Sequence, residues 1–244
     1  MVTAPPKTAL QNYNTATWRI ASSLGVLLGI SSLNHGVFEM LQGNHSTTGF
    51  VIKALGPGYG WTVWTHGSEP AFTIVPNFLL TGILATLIGP VMIFWSLRCI
   101  HRPGGPSIFL LLGVTSFLVG GGMAQVLLFT LNWAAATRIR SSLRFWCWLF
   151  PAPVGRVLGK LWPWALAGAA VFFLAALEIA VVGYGPHVPV QMELLGKLLW
   201  RLALAIVLSL LLSFLCGFAH DAAARRTDAA SLQHGTIQVG KLPL

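Results

Sequence analysis

Charge is what this chain has least of. Only 9% of its 244 residues are Asp, Glu, Lys or Arg, and the acids number 6 against 15 bases. A soluble surface of this size carries about 25–35% charged residues, so a soluble enzyme and a soluble binding module are both excluded. Cysteine is scarce as well. Cys99, Cys147 and Cys216 share no Cys-x-x-Cys spacing, which removes a disulfide framework and a thiol redox motif. The sequence also lacks a phosphate-binding glycine loop, a dinucleotide fingerprint, a nucleophile elbow and a zinc-protease motif.

What the chain has instead is apolar length. Residues AVILMFWYC make up 55% of it, and its mean hydropathy is +0.73. Apolar spans run from Trp18 to Leu41, Thr73 to Arg98, Trp162 to Tyr184 and Leu194 to Phe218. Each is near the roughly 20 residues that a helix needs to cross about 30 Å of hydrocarbon. The expected fold is all-α: a polytopic membrane helical bundle with four spanning helices. Its transmembrane domain covers 18–220, between an N-terminal segment, 1–17, and a C-terminal tail, 221–244. The mostly polar start and the absence of a small-residue cleavage site after it argue against a removable signal peptide.

A fifth apolar segment, Ser107 to Ala136, carries Gly120-Gly121-Gly122 at its centre. Each glycine weakens a helix by roughly 1 kcal/mol, so this segment either crosses once or breaks into a re-entrant or paired short-helix element. Cytoplasmic loops are enriched in Lys and Arg, and that bias separates the two options. A single crossing sets Lys7, Arg19, Arg98 and Arg102 against Lys53, Arg138, Arg140, Arg144, Arg156, Lys160, Arg225, Arg226 and Lys241, four against nine. A broken helix puts all of these except Lys53 on one side, twelve against one. The broken helix is therefore expected, in a multi-pass plasma-membrane protein with both termini cytoplasmic. The loops Gln42–Phe72 and Gly185–Glu193 then lie outside.

The same distribution explains the net charge of +9 without nucleic acid as a partner. The bases flank apolar spans, where they meet membrane lipids, including anionic headgroups at the cytoplasmic face. The stretch from Arg138 to Lys160 mixes Arg140, Arg144 and Arg156 with Phe145, Trp146, Trp148 and Phe150, a composition suited to the headgroup boundary.

Ionisable residues inside a bilayer are costly, which makes their positions informative. In the first span Ser31, His35, Glu39 and Gln42 follow steps of four, four and three and share one helix face. A second stripe, Gly25, Gly29, Ser32 and Gly36, is small enough for close helix packing. The next loop supplies His66 and Glu69, and Asn77 and Thr81 open the second long span. Imidazole and carboxylate together suit a divalent metal. His35, Glu39, His66 and Glu69 are therefore the candidate metal ligands, and a divalent metal is the cofactor they would hold. A proton relay, a polar-ligand site and a helix-capping His/Glu pair are the other readings of the same set. Asn77, Glu178, Lys197 and Arg201 are the candidate ligand-binding residues, with Glu178 expected to pair with Lys197 or Arg201.

Val182-Gly183-Tyr184-Gly185 is similar to the selectivity filter of potassium channels, in which backbone carbonyls face the ion. Val181 and Pro186 stand where that motif has a threonine and an acid, so the resemblance does not carry a channel function. The expected function is an integral membrane protein with an outward-facing His/Glu polar pocket that handles a metal, protons or a small polar ligand. The alternatives are an accessory subunit of a larger membrane complex and a small transporter or channel. A homo-oligomer is an expected partner state.

Overall fold

The computed structural model describes residues 13–55, 69–182 and 192–239. In chain order the elements are α1 (Thr15–Leu41), β1 (Val51–Leu55), β2 (Glu69–Thr73), α2 (Phe78–Arg98), α3 (Gly105–Leu118), β3 (Val119–Gly122) and α4 (Gln125–Ala136). Then follow α5 (Arg144–Leu149), α6 (Ala152–Leu158), α7 (Trp162–Val182) and α8 (Met192–Val239). Four helical stretches are long and apolar enough to cross a membrane: Thr15–Leu41, Phe78–Arg98, Ala152–Ile179 and Gly196–Thr227.

The closest pairing in the bundle joins α1 to α2, and side-chain size explains it. A Cβ at Gly36 would stand 2.7 Å from the Gly82 carbonyl, and one at Gly82 would stand 2.6 Å from the Gly36 carbonyl. Gly29 and Gly89 meet in the same way, each 2.7 Å from the other's carbonyl oxygen. The small stripe of α1 thus faces a matching stripe on α2, Gly82, Ala85, Gly89 and Ser96, and the backbones approach as only small residues allow. Ser32 Oγ seals the contact by donating to the Ala85 carbonyl at 3.1 Å. Around this pair lies the apolar core, in which Ile20, Leu24, Leu28, Phe109, Ile139 and Leu210 are buried.

The glycine-broken segment folds as two short helices joined by a strand. Val119–Gly122 is buried and extended, with Gly120 at φ 104°, a conformation that suits a residue without a Cβ. At this end of the bundle β3 pairs antiparallel with β2, and β2 pairs antiparallel with β1. A three-stranded sheet, order β1-β2-β3, therefore caps a fold that is otherwise helical, which corrects the all-α expectation at this one place. The segment's two ends lie together at the opposite end. Trp95 Nε1 donates to the Gly105 carbonyl at 2.9 Å, and the Asn14 amide donates to the Ile139 carbonyl at 2.8 Å. The bundle thus has a sheet end and, where Arg98, Arg102, Arg138, Arg140, Arg225 and Arg226 gather, a basic end.

Asp221, the first residue of the expected tail, lies inside α8 and is buried. Its carboxylate caps α1 from across the bundle. It accepts from Ala16 N at 3.0 Å, Thr17 N at 2.9 Å and Thr17 Oγ1 at 2.7 Å. These bonds satisfy amides that have no partner within α1 and place a negative charge at the positive end of its dipole. Asn14, the residue before α1, uses its side chain elsewhere, donating to Arg138 O at 2.6 Å and accepting from Arg225 Nε at 2.7 Å.

Candidate functional site

The polar face of α1 runs beneath the sheet. Ser31, His35, Glu39 and Gln42 are 3%, 0%, 0% and 4% exposed, so the row is enclosed rather than open to water. Its two ends are tied down. Gln125 Nε2 of α4 donates to Ser31 Oγ at 2.9 Å, and Gln42 Nε2 donates to the Lys53 carbonyl of β1 at 3.0 Å.

Glu39 lies between α1, α2 and β3. The Thr81 hydroxyl faces its carboxylate, and beyond that hydroxyl neither carboxylate oxygen has a hydrogen-bonding partner among the described residues. Thr81 in turn shares a hydrogen bond with Thr73 Oγ1 at 2.7 Å, and Thr73 Oγ1 accepts from Val75 N at 3.0 Å. On the other flank is Gly120. A Cβ added there would overlap both carboxylate oxygens, so the strand backbone stands directly against the acid. His35 sits one turn below Glu39 on the same face and is equally buried.

The other expected site residues are placed differently. His66 lies outside the described residues. Glu69 pairs through its backbone with Leu55 at the far end of β2 from Thr73, about 13 Å along the strand at its usual rise. Asn77 caps α2, its Oδ1 accepting from Leu80 N at 3.1 Å while its Nδ2 donates to Asn44 Oδ1 at 2.7 Å. Glu178 on α7 and Lys197 and Arg201 on α8 have exposed side chains, whereas α8 meets α1 at Gly217 and Asp221, near the basic end. Gly183 to Gly185 of the filter-like stretch lie outside the described residues. Among the described residues no three His, Cys, Asp or Glu side chains group as a metal site.

Three contributors escaped sequence reasoning: Thr73, Gly120 and Gln125. Asn132 lies two turns beyond Gln125 on the same face of α4, is completely buried, and has no side-chain hydrogen bond among the described residues. A polar residue within an apolar run was the available signal for Gln125 and Asn132. Gly120 was legible as a helix breaker but not as the wall of a carboxylate.

Four spanning helices and an enclosed acid place the chain in the class of polytopic helical membrane proteins. It matches no family model, no curated protein and no solved structure.

Proposed function

We propose that this is a multi-pass plasma-membrane protein that handles protons, with Glu39 as the proton-exchanging group and His35 as its partner along α1. The supporting observation is the lack of room between the acid and the Gly120 backbone. A carboxylate in an apolar, enclosed setting needs a proton, a cation or a polar ligand to offset its charge. Gly120 leaves no space beside Glu39 even for a methyl group, and a proton is the one of these species that needs no cavity. The separation of Glu69 from Thr73 along β2 also favours this reading over a four-ligand divalent metal site that includes Glu69.

In this proposal Thr81 and Thr73 form the hydroxyl path between Glu39 and the water at the sheet end, since a hydroxyl both donates and accepts. The basic end faces the cytoplasm, following the excess of Lys and Arg there. The α3–β3–α4 segment enters from and returns to that side as a re-entrant pair. Asn77, Glu178, Lys197 and Arg201 then act in capping, lipid contact or assembly.

The test is a pH-difference infrared spectrum of protein reconstituted in liposomes, paired with a pH-sensitive dye trapped in the lumen. The wild type is expected to show a carboxyl band that titrates and is lost in Glu39→Gln, together with a proton flux that falls in Glu39→Gln and Thr81→Val. A difference spectrum and flux unchanged by Glu39→Gln would overturn the proposal. Co-purification of a larger assembly with such a silent variant would establish the accessory-subunit reading instead.

A further inference from the structure

At the basic end, away from Glu39, a groove of about 640 Å³ opens between the end of α4, the α4–α5 turn and α8. Its size falls within the roughly 300–1,000 Å³ of small-ligand pockets. Its walls are Leu131, Leu211, Phe214 and Phe218, and its mouth carries Arg138 and Arg144. Leu211, Phe214 and Phe218 belong to Gly196–Thr227, the stretch of α8 that is long and apolar enough to span a membrane. The arginines stand where α4 has just ended and α5 begins.

The neighbouring cations are already engaged. Arg225 donates to Asn14 Oδ1, Arg226 donates to the Phe150 carbonyl at 2.7 Å, and the Arg140 guanidinium lies over the Tyr13 ring. Arg138 and Arg144, by contrast, are exposed and have no side-chain hydrogen bond or ion pair among the described residues. The nearby acid, Asp221, is taken up by the start of α1. Two guanidinium groups without anions among the described residues, next to an apolar wall on a helix of membrane-spanning length, complement a ligand that is anionic at one end and hydrocarbon at the other. Guanidinium is also the side chain best matched to phosphate oxygens.

We propose that this groove is a specific site for one anionic phospholipid of the leaflet at the basic end. Arg138 and Arg144 hold its phosphodiester, and an acyl chain lies along Leu131, Leu211, Phe214 and Phe218. The proposal is independent of the role given to Glu39.

Native mass spectrometry of the detergent-purified full chain, loaded with phosphatidylglycerol or phosphatidylcholine, tests it. One phosphatidylglycerol should be retained per chain in preference to phosphatidylcholine. Arg138→Ala with Arg144→Ala should weaken retention about thirtyfold, from about 1 kcal/mol per surface cation. Leu211→Trp, which fills the groove and leaves both charges in place, should weaken it as well and keeps the test decisive if the arginine variant does not fold. Arg156→Ala with Lys160→Ala removes the same charge from a different face and should leave retention unchanged. Glycerol 3-phosphate should not displace the lipid. Equal retention of the two lipids, equal losses in the two double variants, indifference to Leu211→Trp, or displacement by glycerol 3-phosphate would each overturn the assignment.

Discussion

Replacing Gly120 with alanine tests the closest contact in the candidate site. Two costs add. Alanine at φ 104° is strained, which costs about 1–3 kcal/mol, and its methyl group overlaps the Glu39 carboxylate, an overpacking cost of about 1–3 kcal/mol. Gly120→Ala should therefore destabilise the protein by about 2–6 kcal/mol in reversible unfolding from mild detergent by denaturant. The two costs are separable. Glu39→Ala removes the overlapping atoms but leaves the backbone strained. In a double-mutant cycle, Gly120→Ala on the Glu39→Ala background should cost only the strain, with a coupling of about 1–3 kcal/mol between the sites. Additive effects within about 0.5 kcal/mol would mean that the strand does not press on the acid, and the confinement argument for a proton at Glu39 would fall with it.

Asp221→Ala removes the cap of α1 and leaves the Ala16 and Thr17 amides without their acceptor; a loss of about 2–4 kcal/mol is expected, with Asp221→Asn costing less, by the same unfolding assay. Gly36→Val drives a branched side chain into Thr86 and the Gly82 carbonyl and should destabilise by at least about 1–3 kcal/mol, visible as early loss of monodisperse protein on heating. His101, between α2 and α3, is held below the usual histidine value of 6.5 by burial first and then by Arg102 and Arg140. The folded state therefore binds fewer protons than the unfolded state just below pH 6.5, and stability should fall as the pH drops through that window. Arg140→Gln should raise the imidazole titration midpoint in an NMR pH series. A cysteine placed at Arg140, with the three native cysteines replaced, should react with an impermeant maleimide from the cytoplasmic side, and labelling from outside would reverse the orientation.

Much of the architecture is written in local pattern. The four long apolar runs announce four spanning helices, because run length and hydropathy act on each segment by itself. The stripe Gly25, Gly29, Ser32 and Gly36 was legible as a packing face for the same reason, since spacing along one helix defines a face. So was the row Ser31, His35, Glu39 and Gln42. Gly120 to Gly122 were legible as a break in a helix, because glycine's cost there is intrinsic.

Other features depended on which distant segments meet. Residues around Asp221 read as a polar tail, and only the return of α8 to the start of α1, 204 residues away in sequence, makes Asp221 a cap. The glycines became a strand because β2 offered open backbone hydrogen-bonding groups at that end of the bundle. That pairing set Gly120 against the buried Glu39. Helix length, helix faces and helix breaks follow from neighbours in the chain. Enclosure, capping and the company each charge keeps follow from contacts across it, to which a single sequence gives no local signal.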